Sequence, residues 1–194
     1  MKMEEFELTV CIPTFNGSDT IQKCLQSLVT QGVNLKVLIG DNGSKDGTTE
    51  MLEACVNNKY YGHFDLDLHK FGRLEGGKPP NIFMIRTKLA EQVKTKYMMF
   101  LDDDIKLPAY TLKCMMEVIM ANPTLGLVGL HYQPFNRHMA IGASLWHTDV
   151  VQKIKWAYNK GLPCECQNAL DQVKAMNRGV MFMNKIMALD LNYV

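Results

Sequence analysis

The stretch YMMFLDDDIKLP, Tyr97 to Pro108, decides how the chain is read. Five apolar residues run straight into three consecutive aspartates. A short apolar run stopped by turn-forming residues predicts a strand buried on both faces. The aspartates repel one another, more strongly as water is excluded. They form either a solvated turn or a cluster with a positive group between the carboxylates.

The flanking sequence favours a strand in a larger sheet. Upstream, Phe6 to Ile12 (FELTVCI) predicts a buried strand stopped by Pro13. In SDTIQKCLQSLVTQG, the residues Ile21, Cys24, Leu25, Leu28 and Val29 share one helical stripe, with Ser18 as N-cap and Gly32 as stop. Leu35 to Gly40 predicts a second strand running into the turn DNGSKDG, followed by a helix carrying Met51, Leu52, Cys55 and Val56. Phe64, Leu66 and Leu68 alternate as a third strand. After the loop GRLEGGKPP (72–80), Ile82, Ile85, Leu89 and Val93 form a helical stripe, and a further helix spans Ala109 to Ala121. Strand and helix therefore alternate four times. That pattern predicts an α/β fold, a mostly parallel central sheet flanked by helices. Beyond Pro123 the sequences LGLVGLHY, MAIGASLW and VVQKIKWAY read as strands, and NRGVMFMNKIM as a strand leading into a helix.

Composition narrows the function. With 194 residues, 47% hydrophobic and 21% charged, the chain suits one globular domain. A net charge of +1 advertises neither nucleic acid nor an anionic membrane as partner. The opening MKMEEFELTVCIP has two glutamates where a signal peptide needs apolar residues, and no run approaches the roughly 20 apolar residues of a transmembrane helix. These features predict a cytoplasmic protein with its six cysteines as free thiols. Cys164 and Cys166 lack the spacing and the second pair of a zinc site. The fourteen methionines, clustered at 98–99, 115–116 and 181–183, read as core filler.

In parallel sheets, ligands collect at the carboxyl ends of the strands. Three polar clusters lie there: PTFNGS (13–18), DNGSKDG (41–47) and DDD (102–104). Carboxylates on a short supported loop suit Mg²⁺ or Mn²⁺, which bind through one or two carboxylates plus substrate phosphates. In an extended segment, Asp102 and Asp104 face one way and Asp103 the other.

Taken in order, CIPTFNGSDTIQKCLQSL, LIGDNGSKDGT and YMMFLDDDIKLP resemble the core of family 2-like nucleotide-sugar glycosyltransferases with the GT-A fold. The resemblance covers roughly residues 6–120. It implies a single GT-A-like domain over 1–194, with a nucleotide-binding half to about 104 and an acceptor-side half beyond. It implies that Pro13, Thr14, Phe15 and Asn16 line the nucleotide pocket and that Asp41 accepts a hydrogen bond from the base, typically uracil. Asn42 stands where the family often has a second acid. Asp102 and Asp104 resemble the DxD motif, with Asp104 as metal ligand, Asp102 on ribose or metal-bound water, and Asp103 between them. Arg86 stands where a polar residue often faces the nucleotide. The implied activity is metal-dependent transfer from a nucleotide sugar, with UDP favoured, to a glycan or other hydroxyl acceptor with inversion. Mn²⁺ or Mg²⁺ is the implied cofactor.

One departure concerns the base. The family's acidic pair after the DxD motif is absent, which leaves Asp149, Glu165, Asp171 and Asp190, with Asp171 and then Asp190 favoured. Either one of these serves, or the chain is the front domain of a longer protein. His147 is a further metal candidate beside His131 and His138, Arg73 and Lys78 mark 72–80 as a candidate lid, and Trp146 and Trp156 are candidate acceptor platforms. Two other functions compete. A non-catalytic nucleotide-sugar-binding domain keeps the pocket without the base. A sugar-phosphate nucleotidyltransferase needs a basic glycine-rich loop, and PTFNGSD has no basic residue. No GxxxxGK[ST] run marks a P-loop.

Overall fold

A computed structural model describes residues 8–73, 81–133, 141–156 and 165–190. Strands β1 (Leu8–Thr14), β2 (Leu35–Asp41), β3 (Asp65–Lys70) and β4 (Tyr97–Leu101) form the parallel half of a sheet. They are linked by α1 (Ile21–Leu28), α2 (Thr48–Asn57) and α3 (Asn81–Gln92). The second half contains β5 (Ile105–Lys106), α4 (Thr111–Ala121), β6 (Leu125–Gln133), β7 (Ala143–His147), α5 (Thr148–Val151), α6 (Glu165–Ala175) and β8 (Gly179–Asp190). Among the described residues the order across one sheet is β3-β2-β1-β4-β7-β6-β8-β5. β7 runs antiparallel to both neighbours, β6 and β8 are parallel, and β5 pairs antiparallel with β8.

The pleat of β4 shows why the apolar run had to be continuous. Tyr97, Met99 and Leu101 join a core layer with α1, α2 and α4. Met98 and Phe100 join the opposite layer with α3, α5 and α6. Each fully buried side chain of this kind stabilises the fold by about 1.5–3 kcal/mol, so neither face tolerates a polar residue. Among the described residues, no helix is long and apolar enough to cross a membrane.

Several boundaries differ from expectation. Pro13 does not stop β1, which continues to Thr14 with Pro13 opposite Gly40. The ladder from β1 to β4 ends earlier, at Cys11, so the missing N–H of Pro13 falls where no strand needs it. Thr20, not Ser18, precedes the first turn of α1, without a side-chain cap. VVQKIKWAY is not a strand in its described part. Val150, Val151 and Ile154 bury together at helical spacing, and α5 takes the first two. NRGVMFMNKIM stays extended through β8 instead of turning into a helix, because β6 pairs along it across a bulge near Leu130. Helix α6 was not anticipated, although Cys166, Ala169, Leu170 and Val173 carry its stripe.

Candidate functional site

Strand order reverses at β1, with β2 on one side and β4 on the other. The segments leaving the carboxyl ends of β1, β2 and β4 meet there, and side chains tie them together. Asn16 lies on the first segment with φ +52. Its backbone N–H donates to Ser44 Oγ at 2.9 Å, and its side-chain oxygen accepts from the Lys45 N–H at 2.9 Å. The Ser18 N–H donates to Asp46 Oδ2 at 3.1 Å, and Asp46 Oδ1 also accepts from the Thr48 N–H and hydroxyl. Slight burial works against ionisation of Asp46, but these donors outweigh it and hold the carboxyl well below its usual range. The third tie is the Thr14 hydroxyl, which donates to Asp103 Oδ2. Gly17 is required at this point because a Cβ would strike both Asp103 and Thr14.

Asp41 ends β2 almost fully buried, 2% exposed. Its Oδ1 accepts from the Ser44 N–H at 3.1 Å and hydroxyl at 2.5 Å, while Oδ2 accepts from the Thr49 hydroxyl at 2.7 Å. Asn42 is buried beside it, and its N–H donates to the Thr14 carbonyl at 3.0 Å. Phe15 is exposed, with the Arg73 guanidinium 4.3 Å from its ring centroid. Arg73 leaves the carboxyl end of β3 and is the described part of the anticipated lid; 74–80, including Lys78, lies outside the described residues.

The aspartates form a turn, closed by the Ile105 N–H donating to the Asp102 carbonyl at 3.1 Å, and not the extended segment expected. Their side chains still diverge. Asp102 Oδ1 lies 2.5 Å from Arg86 Nη2, and Asp103 reaches Thr14. Arg86 is 2% exposed on α3 and pairs with Asp102 from there. A buried internal cation is thus one positive group in the cluster. Gly142 supplies the floor: its carbonyl accepts the Asp102 N–H at 2.8 Å, and a Cβ there would collide with the Asp102 carboxylate. Burial pushes the Asp103 carboxyl up to about 7, with the charges of Asp104 and Asp102 adding to the rise and Thr14 opposing it.

The remaining candidates separate. His147 is not part of this cluster. It pairs with Tyr97 at the opening of β4, the far end of that strand, where burial and the nearby Arg178 cation lower its pKa. Asp149 is exposed at that same end, 3.5 Å from Lys153. Asp171 lies on the exposed side of α6 and accepts from Gln167 at 2.8 Å. The neighbouring Gln172 bonds the Lys155 backbone beyond α5. Asp190 does come near: its backbone pairs with Ile105, the residue that closes the aspartate turn. Glu165 opens α6, His131 is in β6, and His138 and Cys164 lie outside the described residues. Trp146 is fully buried in the core, and Trp156, half-buried, packs edge-on to it and to Phe100. The described cysteines are free, and no three His, Cys, Asp or Glu side chains among the described residues converge as a metal group. Sequence reasoning missed Ser44, Asp46, Thr49 and Gly142. The first three stand in or beside the DNGSKDG turn, and that turn chemistry was the available signal.

The loops meet at a switch point, as in doubly wound α/β folds, and the likeness to solved glycosyltransferases makes the fold of the GT-A type. The chain belongs to glycosyl transferase family 2, whose model matches residues 9–177. Among solved structures, the mannosyltransferase PcManGT from Pyrobaculum calidifontis, in complex with GDP-Man and Mn²⁺, superposes with a TM-score of 0.76 at 15% identity. The match covers 97% of this chain and 58% of that one. S. aureus TarS gives 0.69 at 18% identity over 95% of this chain and 60% of its own, and TarS structures with UDP and with UDP-GlcNAc match as well. Identities this low show the fold alone. The abequosyltransferase RfbV of Salmonella typhimurium is 35% identical over 54 residues, 26% of this chain and 16% of its own length. The glycosyltransferase AglE of Haloferax volcanii is 43% identical over 47 residues, 23% of this chain and 16% of its own. The chain thus spans 16% of either curated relative.

Proposed function

We propose that the protein is a metal-dependent glycosyltransferase that moves a sugar from a nucleotide-sugar donor, UDP-linked by preference, to an acceptor hydroxyl with inversion. The observation that carries this reading is the tying of three strand-end loops into one crevice by Thr14–Asp103, Asn16–Ser44 and Ser18–Asp46. Three donors occupy Asp41, two of them on Oδ1, which leaves a lone pair of Oδ2 for a base N–H such as that of uracil. Phe15 offers a ring face for the base, and Pro13 and Asn42 shape the floor.

The donor set fits Mn²⁺ or Mg²⁺. Asp104 and Asp102 would supply hard oxygens, too few to enclose an ion unless a diphosphate completes the shell. Bound there, the ion would offset charge developing on the leaving diphosphate. Arg86 fixes the Asp102 carboxylate, Gly142 leaves room for it, and Thr14 anchors Asp103. For the base we favour Asp190 over Asp171, because the β5–β8 register brings Asp190 beside the aspartate turn.

The test is thermal unfolding with UDP, GDP, CDP and dTDP, each with and without Mn²⁺, on wild type and Asp104→Ala. Ligand at a hundred times its Kd stabilises by about 2.7 kcal/mol, a rise of roughly 5–10 °C for this size. The reading expects UDP with Mn²⁺ to give that rise and the variant to lose it. No response to any nucleotide would sink it. A response without donor hydrolysis would instead indicate a silent binding domain.

A further inference from the structure

A second cavity, of about 540 Å³, lies outside the crevice, between α1, the tyrosines after α2 and the segment leaving β5. That volume is in the range of small-ligand sites. Gln22, Lys23 and Gln26 form one wall, Lys106 the other, and Tyr60 and Tyr61 an end. No carboxylate is among its lining residues.

One tyrosine is displayed here. Tyr60 is 66% exposed and stands edge-on to the buried Tyr61, with ring centroids 5.0 Å apart. Lys59, with φ +47, ends α2 just before Tyr60, whose N–H donates to the Cys55 carbonyl at 3.0 Å.

The chemistry is that of sugar recognition. An exposed tyrosine face accepts the C–H face of a pyranose while its hydroxyl stays wet. Glutamine amides match vicinal hydroxyls as paired donor and acceptor. Two lysines, in a lining that holds no carboxylate, select negative charge. We propose that this groove binds an anionic oligosaccharide, a sugar chain bearing carboxylate or phosphate groups. Lys106 is two residues beyond Asp104, so the groove starts beside the aspartate turn. Its role as an acceptor-holding groove rests on the transferase reading; the binding itself does not.

The test titrates ¹⁵N-labelled protein with tetragalacturonate, which is anionic, and with maltotetraose, which is neutral and of equal length. Tetragalacturonate should move the amide resonances of Gln26, Tyr60 and Lys106 and bind at least fivefold more tightly than maltotetraose. Tyr60→Ala and Lys106→Gln should each weaken it at least fivefold, and both variants should keep the wild-type thermal response to UDP with Mn²⁺. Absence of groove shifts, or affinity unchanged in both variants, overturns the site. Equal binding of maltotetraose overturns the charge selection. Groove binding without any nucleotide response would count against the transferase reading and leave the groove standing.

Discussion

Replacing Arg86 with Met removes the cation paired with Asp102 and leaves a methionine of similar reach among Phe100 and the residues of α3. Breaking a fully buried ion pair from one side costs about 3–5 kcal/mol, because the remaining charge is stranded. Asp102 is 23% exposed, so water recovers part of that loss. The expected cost is about 2–3 kcal/mol, a fall in Tm of roughly 5–10 °C. Asp102→Asn in the same chain removes the stranded charge. The double variant should therefore be more stable than the sum of the two single changes by at least about 1 kcal/mol. Urea unfolding of wild type, both single variants and the double variant at pH 7 measures this coupling directly. Additivity within about 0.5 kcal/mol would refute the argument that Arg86 and Asp102 act as one unit.

Other expectations concern the same crevice. Gly142→Ala should push the Asp102 carboxylate out of place, weakening nucleotide binding with Mn²⁺ at least tenfold in calorimetry; unchanged affinity would mean the collision is relieved elsewhere. Asp103 has a folded pKa of about 7 against 3.8 in an unfolded chain, so the folded state holds the extra proton between those values. Its contribution to stability is fully present below pH 3.8 and is lost as pH rises through 7. In metal-free buffer, wild type should lose stability relative to Asp103→Asn across that window, and parallel pH profiles would contradict the assignment. Asp190→Asn should lower transfer at least a hundredfold while leaving nucleotide binding intact, whereas Asp171→Asn should leave both within twofold; the reverse ranking in a donor-consumption assay would move the base to α6.

The first half of the sheet was legible because its signals are local. Ile21, Cys24, Leu25 and Leu28 announce α1 by spacing alone, and all four are buried. The three polar clusters could be placed together because parallel topology sends each to the same end of the sheet. Local reading failed where a partner decides the conformation. Residues 184–190 have a sequence that suits a helix as well as a strand, and pairing with β6 and β5 holds them extended. Arg86 was visible as a site residue but not as an internal counter-ion, since its spacing from Asp102 says nothing about burial. Gly142 carries no sequence signal at all. Its importance arises only from the carboxylate that fills the place of its missing side chain.

The pairing of β5 with β8 consists of two residue pairs, Ile105 with Asp190 and Lys106 with Leu189. In mechanical terms it is a clasp. It joins the turn at the end of β4 to the last described strand. A clasp of only two rungs has little stiffness of its own and opens at small free-energy cost. Whatever seats against the aspartate turn therefore pulls on only two rungs, while the strand end opposite stays held by β6 through Gln133 and Leu189.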